Sequence, residues 1–288
     1  MKQLNEKAML VKLTMRKANL TKRDAVAEAI IQNQMDDSSL IVNSKLFRDP
    51  NNPINRIMQE HSGIYIFHKK NTLAYIDKGP RILPNNNYME YTHEMRQRIN
   101  YVDSLLDKQM PNYDTYVQLD IMYRSKNQVT SRAKVEDYPT ADEFRQSMGF
   151  DLRFAPLPDQ SHFLFDLSDE DKAGFEESIK EAGKVARRET VMSMLEPLQK
   201  LVTKLSIEIG EKESVFRNSA IENVLDGLER ARKLNIDEDP ALDEAIKNLS
   251  SAIVVFDQHK DSLRESPVVR ESAHKKLNEI ANRMKGLL

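Results

Sequence analysis

The chain has no cysteine and no tryptophan, and only eight of its 288 residues are glycine. The absence of cysteine excludes disulfides, thiolate nucleophiles and Cys-ligated zinc or iron–sulfur centres. Phosphate-binding loops need glycine at defined positions, and no GxxxxGK[ST], GxGxxG, GxSxG or HExxH motif occurs. Few glycines together with many Leu, Met, Glu, Lys and Arg favour long helices over a turn-rich β fold.

Long apolar runs are also missing. No segment approaches the ~18 apolar residues of a membrane helix. Lys7, Lys12 and Arg16 interrupt the N-terminal segment, so it has no signal-peptide core. The six histidines show no recognised metal-ligand spacing. These features predict a soluble, cytoplasmic, non-catalytic protein with no membrane partner and no cofactor.

Charge is unevenly distributed along the chain, although the formal net charge is only −2. Residues 1–135 carry 21 Lys/Arg and 14 Asp/Glu, whereas residues 136–288 carry 22 and 31. One interpretation is ordinary variation between solvated surfaces. The other is a polyanion-binding N-terminal half followed by a partner-binding or self-associating C-terminal half.

Hydrophobic periodicity predicts a mainly α, α+β fold. In the first half, alternation over residues 9–16 predicts a strand, and helical spacing follows in several segments. The segment 69–84 has Gly-Pro punctuation and no sustained period, so it is predicted to be an ordered loop. The predicted helices of this half cover residues 24–34, with Val26, Ile30 and Ile31 facing inward, 51–67, 88–106 and 112–123.

The pattern of the second half predicts a short helix, a β-hairpin and then an elongated, coiled-coil-like helical bundle. Thr140 is a predicted helix cap, and alternating Phe residues over 150–166 predict the hairpin. Ser168 with Asp171 forms a capping-box variant that opens a long helix, which Pro197 is expected to kink. The predicted domains are a basic, Tyr-rich region 1–137, a joint 138–171 and an acidic antiparallel helical region 172–288.

One pattern points to catalysis, because Asp159, Glu170 and Lys172 spell PD-x10-ExK. This resembles the restriction-endonuclease-like nucleases, in which two acids hold a divalent metal and the lysine polarises the attacking water. That family places ExK on a strand. Here Glu170 and Lys172 fall at a predicted helix N-terminus, where acids complement the helix dipole. A metal-dependent nuclease is therefore the less favoured alternative.

Tyrosines and basic residues interleave in the first half, and eight of the nine tyrosines precede residue 124. Aromatic rings stack on unpaired bases while cations follow phosphates, so the pattern predicts single-stranded nucleic-acid binding. The competing interpretation is that Tyr88, Tyr91 and Tyr101 line the buried stripe of a helix. The residues predicted to contact nucleic acid are Lys12, Arg16, Lys69, Lys70, Tyr75, Lys78, Arg81, Arg96, Arg124 and Lys126.

The segment YPTADEF at 138–144, followed by GFDL at 149–152 and FAPLPD at 154–159, resembles a family of uncharacterised phage and bacterial proteins. LVKLT at 10–14, NTL at 71–73 and RILP at 81–84 match the same family. The chain departs from its pattern at 72–75, where TLAY replaces TLPW. The resemblance implies a place near phage replication or MoxR-type ATPase genes, and the bacterial host cytoplasm if the chain is phage-encoded. It implies no catalytic residues.

The favoured function is a non-catalytic protein that binds single-stranded DNA in phage-type DNA metabolism. The alternative is a helical scaffold or adaptor that oligomerises or docks on a MoxR-type ATPase. The expected partners are thus nucleic acid and either a second copy of the chain or a helical protein.

Overall fold

A computed structural model describes residues 4–35, 39–75, 79–127, 133–157, 168–207, 217–236 and 239–288. These residues are mostly helical with a small antiparallel sheet, which confirms the mainly α prediction. None of the helices in this part of the chain is both long and apolar enough to cross a membrane.

The elements follow one another in chain order. The strands are β1 Ala8–Arg16, β2 Thr21–Arg23, β3 Asn43–Lys45, β4 Leu73–Ala74, β5 Arg81–Pro84 and β6 Gly149–Pro156. The α-helices are α1 Leu4–Lys7, α2 Ala25–Met35, α3 Pro53–Lys70, α4 Tyr88–Gln109, α5 Tyr113–Lys126, α6 Ala141–Ser147, α7 Asp169–Ser206, α8 Asn218–Leu234, α9 Pro240–Gln258, α10 Lys260–Glu265 and α11 Pro267–Lys285. Three 3-10 turns cover Asn85–Asn87, Met110–Asn112 and Val135–Asp137.

Two compact units divide the chain, and neither is contiguous in sequence. The first unit comprises Met1–Lys12, Lys69–Tyr91 and Arg153–Leu288, and the second comprises Leu13–His68 and Thr92–Leu152. This division differs from the three consecutive segments 1–137, 138–171 and 172–288, because antiparallel strand pairing joins segments that are distant in sequence. The charge difference between residues 1–135 and 136–288 is not found between the two units. The second unit has 15 Lys/Arg and 16 Asp/Glu and the first has 28 and 29, so each has a formal charge of −1.

The larger sheet has the strand order β4-β5-β1-β6. Arg81 of β5 pairs with Val11 on one side and with Ala74 on the other, both antiparallel. The prediction of a loop over 69–84 is therefore wrong for β4 and β5. These strands are too short to show a period; β5 is a strand because it pairs with the long strand β1, and β4 because it pairs with β5. The second strand of the predicted hairpin lies outside the described residues.

The core of the first unit is a helical bundle formed by α7, α8, α9, α10 and α11. Its buried side chains recur at helical spacing on α7, α8, α9 and α11, as the sequence predicts, and α10 adds Leu263. Ser168 accepts a hydrogen bond from the Asp171 amide (3.1 Å), which confirms the cap of α7. The 38-residue helix continues through Pro197. The buried Arg270 guanidinium donates hydrogen bonds to two carbonyl oxygens in the last turn of α7, those of Leu205 (3.2 Å) and Lys204 (2.5 Å).

Helix α8 crosses α7 at very close range through Gly227. A Cβ atom at this position would lie 2.5 Å from the Ser193 carbonyl oxygen and 3.3 Å from the Met194 Cα. Only a residue without a side chain permits this approach, so Gly227 is required by packing rather than by a turn.

Replacing Gly227 by alanine should destabilise the protein by about 1–3 kcal/mol, because the added methyl meets backbone that cannot move away. The matched control is Gly183→Ala in α7, where an added Cβ has nothing within 4 Å. That substitution should stabilise by about 0.5–1 kcal/mol through helix propensity alone. Thermal unfolding of the two variants should move in opposite directions, and a stabilised Gly227→Ala variant would contradict the packing.

The second unit is organised around the buried carboxylate of Asp120 on α5. It accepts hydrogen bonds from the amides of Phe47 (2.9 Å) and Arg48 (2.6 Å), from the Tyr138 hydroxyl (2.6 Å) and from Arg124 Nε (2.9 Å). Burial raises the pKa of Asp120, but the Tyr138 hydroxyl and the Arg124 guanidinium outweigh it, so the pKa lies below its ordinary value. The carboxylate is therefore ionised inside the core.

The turn around this carboxylate places Phe47 in the left-handed region with φ 53°. A bulky residue in this conformation costs roughly 1–2 kcal/mol. The hydrogen bonds from the Phe47 and Arg48 amides to Asp120 offset this cost. The Phe47 ring is itself buried between Tyr113 (centroids 5.8 Å apart) and Tyr138 (5.1 Å).

Asp120→Asn should cost about 3–5 kcal/mol of unfolding free energy, because it leaves the Arg124 charge buried without its counter-ion. Asp114→Asn, at an exposed position on the same helix, should change stability by less than about 0.5 kcal/mol. Chemical denaturation of both variants measures the difference. Equal, small effects would show that the network does not hold this unit together.

Candidate nucleic-acid interface

Helices α3 and α4 carry the strongest arrangement of aromatic and basic side chains in the second unit. Asn52 Oδ1 accepts from the Ile54 amide (3.1 Å) and Pro53 starts α3, so the helix begins as the Asn-Pro sequence predicts. The buried stripe of α3 consists of Ile54, Ile57, His61, Ile64 and His68. Positions 56, 60, 63 and 67 are spaced by three or four residues and form a second stripe, which lies on a different face of the helix.

His61 anchors α3 from the buried side. Its Nε2 lies 2.8 Å from the carbonyl oxygen of Arg16, and its ring centroid is 4.6 Å from that of Phe150. A carbonyl oxygen only accepts, so Nε2 carries the proton and donates. Burial lowers the pKa of His61 despite the hydrogen bond to Arg16, and the nearby Lys17 charge lowers it further. The imidazole is therefore neutral when the protein is folded.

Two arginines contact two aromatic rings where α3 and α4 face each other. Arg56 Nη2 donates to the Tyr101 hydroxyl (2.9 Å), and the Arg98 guanidinium lies over the Phe67 ring at 4.6 Å from its centroid. Arg98 and Tyr101 are three residues apart on α4 and so share one helix face. We call Arg56, Phe67, Arg98 and Tyr101 the arginine–aromatic face.

Carboxylates hold these guanidinium groups without covering them. Glu60 lies 3.9 Å from Arg56, and Glu94 lies 3.4 Å from Arg98, each as an i,i+4 pair. The side chains of Arg56 and Arg98 are still 65% and 44% exposed, so both remain accessible to a ligand. Gly63 lies between Glu60 and Phe67 in the stripe, and an added Cβ there would meet nothing within 4 Å. The face therefore has open space at its centre.

These groups match the chemistry of an unpaired nucleotide. Aromatic rings and guanidinium planes stack on bases, and the guanidinium edges donate to phosphate oxygens. Tyr101 of α4 is 41% exposed, and Tyr65 of α3 is 50% exposed. The buried-stripe interpretation holds for Tyr91, which is fully buried, but not for Tyr101.

The residues predicted to bind nucleic acid are scattered over the two units. Lys12, Lys69 and Lys70 are exposed in the first unit, and Arg16, Arg96 and Lys126 are exposed in the second. Lys78 lies outside the described residues. Lys70 is 3.6 Å from Asp226, and Tyr75 packs partly buried against the apolar cluster below the sheet.

The prediction that Arg124 contacts nucleic acid is wrong, because its side chain is only 2% exposed and forms an ion pair with Asp120. It also donates to the carbonyl of Lys45. A guanidinium enclosed in this way does not reach a phosphate. The i,i+4 spacing of Asp120 and Arg124 was the sequence signal for this pair.

Arg81 is likewise engaged inside the first unit. Its side chain is 15% exposed and donates to Glu189 Oε1 (2.9 Å) and to Thr72 Oγ1 (2.7 Å). Glu189 of α7 also binds Arg230 of α8 (2.9 Å) and accepts from the Ala74 amide (2.5 Å). The triad of Arg81, Glu189 and Arg230 thus ties β4 and β5 to the bundle, so Arg81 has a structural task.

The nuclease pattern has a different placement from the one that its family requires. Glu170 and Lys172 lie in the first turn of α7, not on a strand, and Glu170 is exposed. Asp159 lies outside the described residues. In the described ranges, no group of three or more His, Asp or Glu side chains could hold a metal ion.

A small cleft in the first unit is lined by apolar and polar residues of β4, α7, α8 and α9, and by the ion pair of Arg187 and Asp239 (2.7 Å). Its volume is about 20 Å³. A water molecule needs ~10–15 Å³, so the cleft has room for about one water and not for a substrate.

No family model matches the sequence, and neither a curated protein nor a solved structure matches it.

The buried, neutral state of His61 makes stability dependent on pH. In the unfolded chain a histidine titrates near ~6.5, whereas the folded pKa is lower. As pH falls below ~6.5 the unfolded state binds a proton more readily than the folded state does, so the free energy of unfolding decreases.

His61→Gln keeps a donor for the Arg16 carbonyl but does not titrate. The difference in unfolding free energy between wild type and this variant should shrink from pH 7.5 to pH 5.5, as measured by urea unfolding, and a constant difference would refute the buried neutral imidazole.

Proposed function

We propose that the protein is a non-catalytic binder of single-stranded nucleic acid and that the arginine–aromatic face is its contact surface. The single observation that supports this most is the pair of contacts between Arg56 and Tyr101 and between Arg98 and Phe67, with both arginine side chains exposed in part. The family resemblance extends the proposal to phage-type DNA metabolism.

The charge of the units limits how such binding works. Because the second unit has a formal charge of −1, a long-range field does not draw a polyanion to it. Binding then depends on stacking and on a few local cations. Arg56, Arg96, Arg98 and Lys108 are the exposed cations of α3 and α4 in the second unit, and Arg56 and Arg98 belong to the arginine–aromatic face. Two phosphate contacts on a single strand correspond to a slope of about −1.4 for log K against log salt.

The test is a fluorescence-anisotropy titration of a labelled oligothymidine with the full chain, at several salt concentrations from ~50 mM upward. Tyr101→Leu should weaken binding by at least about fivefold, since stacking contributes ~1–3 kcal/mol per base. Tyr101→Phe keeps the ring and should bind nearly as well as wild type. This pair separates stacking from the hydrogen bond to Arg56.

A second matched pair tests the phosphate contact. Arg98→Gln should weaken binding and reduce the salt slope by about 0.7, whereas Arg283→Gln, at an exposed position of α11, should change neither. No anisotropy change at ~50 mM salt, or equal effects of Arg98→Gln and Arg283→Gln, would rule the proposal out.

A further inference from the structure

Helix α2 has its polar and apolar sides reversed relative to an ordinary surface helix. In its sequence, AVAEAIIQNQM, Glu28 is the only ionisable residue. Glu28 is buried at 6% exposure, whereas Val26 and Ile30 are 59% and 46% exposed. The prediction that Val26 and Ile30 face inward is therefore wrong.

Polar contacts on the inner side fix this orientation. The Glu28 carboxylate accepts from Arg23 Nε (2.8 Å) and Nη2 (2.5 Å), and Gln32 Nε2 donates to the carbonyl of Leu40 (2.8 Å). Asp24 caps the helix by accepting from the Ala27 amide (3.1 Å). Turning the helix to bury its valine and isoleucine would break these contacts, so the apolar side stays outward.

The outward side has the spacing of a helix–helix contact. Val26, Ala29, Ile30 and Asn33 follow the i, i+3, i+4, i+7 pattern, and all four are exposed. We call these four residues the α2 face. It carries no charge, although 31% of the chain's residues are charged. A solvated helix face usually carries charges, so this one has the composition of a contact surface.

We propose that the α2 face binds the α2 face of a second copy of this chain across a two-fold axis. In such a contact each residue meets its own counterpart or a near neighbour, so the surface must be compatible with itself. An uncharged face meets that condition, and it offers nothing to attract a charged partner. Ala29 allows the two helices to approach closely. The Asn33 amide both donates and accepts, so it can pair with its own copy.

The size of the contact predicts its strength. Helix α2 has 11 residues, or about 16 Å of helix. One such helix buries less than the ~800 Å² per partner of a standard interface. The dimer should therefore dissociate on dilution.

The experiment is sedimentation equilibrium of the full chain from about 1 to about 300 µM, because mass action makes the average mass depend on concentration. Wild type should rise from the 33.3 kDa of one chain toward twice that mass. Ile30→Glu and Ile30→Lys should each remain monomeric, because two like charges would meet across the axis. Val255→Glu, at a comparably exposed position of α9 (47%), should dimerise as wild type does.

An equimolar mixture of the Ile30→Glu and Ile30→Lys variants should form the dimer again, because opposite charges then meet across the axis. A chain without cysteine allows a second readout: Ala29→Cys should form an intermolecular disulfide under oxidation, and Val255→Cys should not. Thermal melting confirms that the variants fold.

Three results would overturn the proposal. The first is a wild-type protein that stays monomeric to about 300 µM. The second is a dimer that Ile30→Glu and Ile30→Lys do not disrupt, or that a mixture of the two variants does not restore. The third is binding of monomeric wild type to phospholipid vesicles that both variants lose, which would assign the α2 face to a membrane surface.

Discussion

The second unit depends on one buried anion, the carboxylate of Asp120. It collects the amides of the turn at Phe47 and Arg48, the hydroxyl of Tyr138 and the guanidinium of Arg124. A buried carboxylate without such partners would cost several kcal/mol, so the segments that supply them are bound to one another. The left-handed conformation of Phe47 is a consequence, because it aims consecutive amides at the same carboxylate.

The same anchor sets the position of α3. Asn55 Nδ2 donates to the carbonyls of Phe47 and Asp49 at 2.7 Å each, and Asn52 Nδ2 donates to the Tyr116 carbonyl at 3.1 Å. The start of α3 is thereby attached to the turn that Asp120 organises. His61 fixes the helix further along by its hydrogen bond to the Arg16 carbonyl. With both points held, the stripe that carries Arg56 and Phe67 stays on the side where α4 presents Arg98 and Tyr101.

Helix caps and hydrophobic periodicity in the sequence predicted the helices well. The basic residues chosen from the sequence as nucleic-acid contacts were predicted less well. Thr140 and Ser168 cap helices as their sequences indicate, because a cap depends only on residues within one turn. Strand β5, by contrast, needs β1 as a partner from about 70 residues away, and β4 depends in turn on β5. Arg81 was assigned to nucleic acid because its carboxylate partner Glu189 lies 108 residues away. Arg124 was assigned to it because its burial belongs to the tertiary structure, although the i,i+4 spacing from Asp120 is local. The charge difference between residues 1–135 and 136–288 did not predict a charge difference between the two units, since each unit contains both basic and acidic segments. The spacing of Arg56, Glu60, Gly63 and Phe67 on one helix stripe is the sequence signal for the proposed contact surface.

Photo-crosslinking tests the central claim most directly. A single-stranded oligonucleotide carrying one photoreactive base would be irradiated with the full chain, and the crosslinked peptides identified by mass spectrometry. Crosslinks are expected on α3 and α4, at Phe67 and Tyr101 or their immediate neighbours. Crosslinks confined to the helical bundle of the first unit, or to the strands β4 and β5, would contradict it.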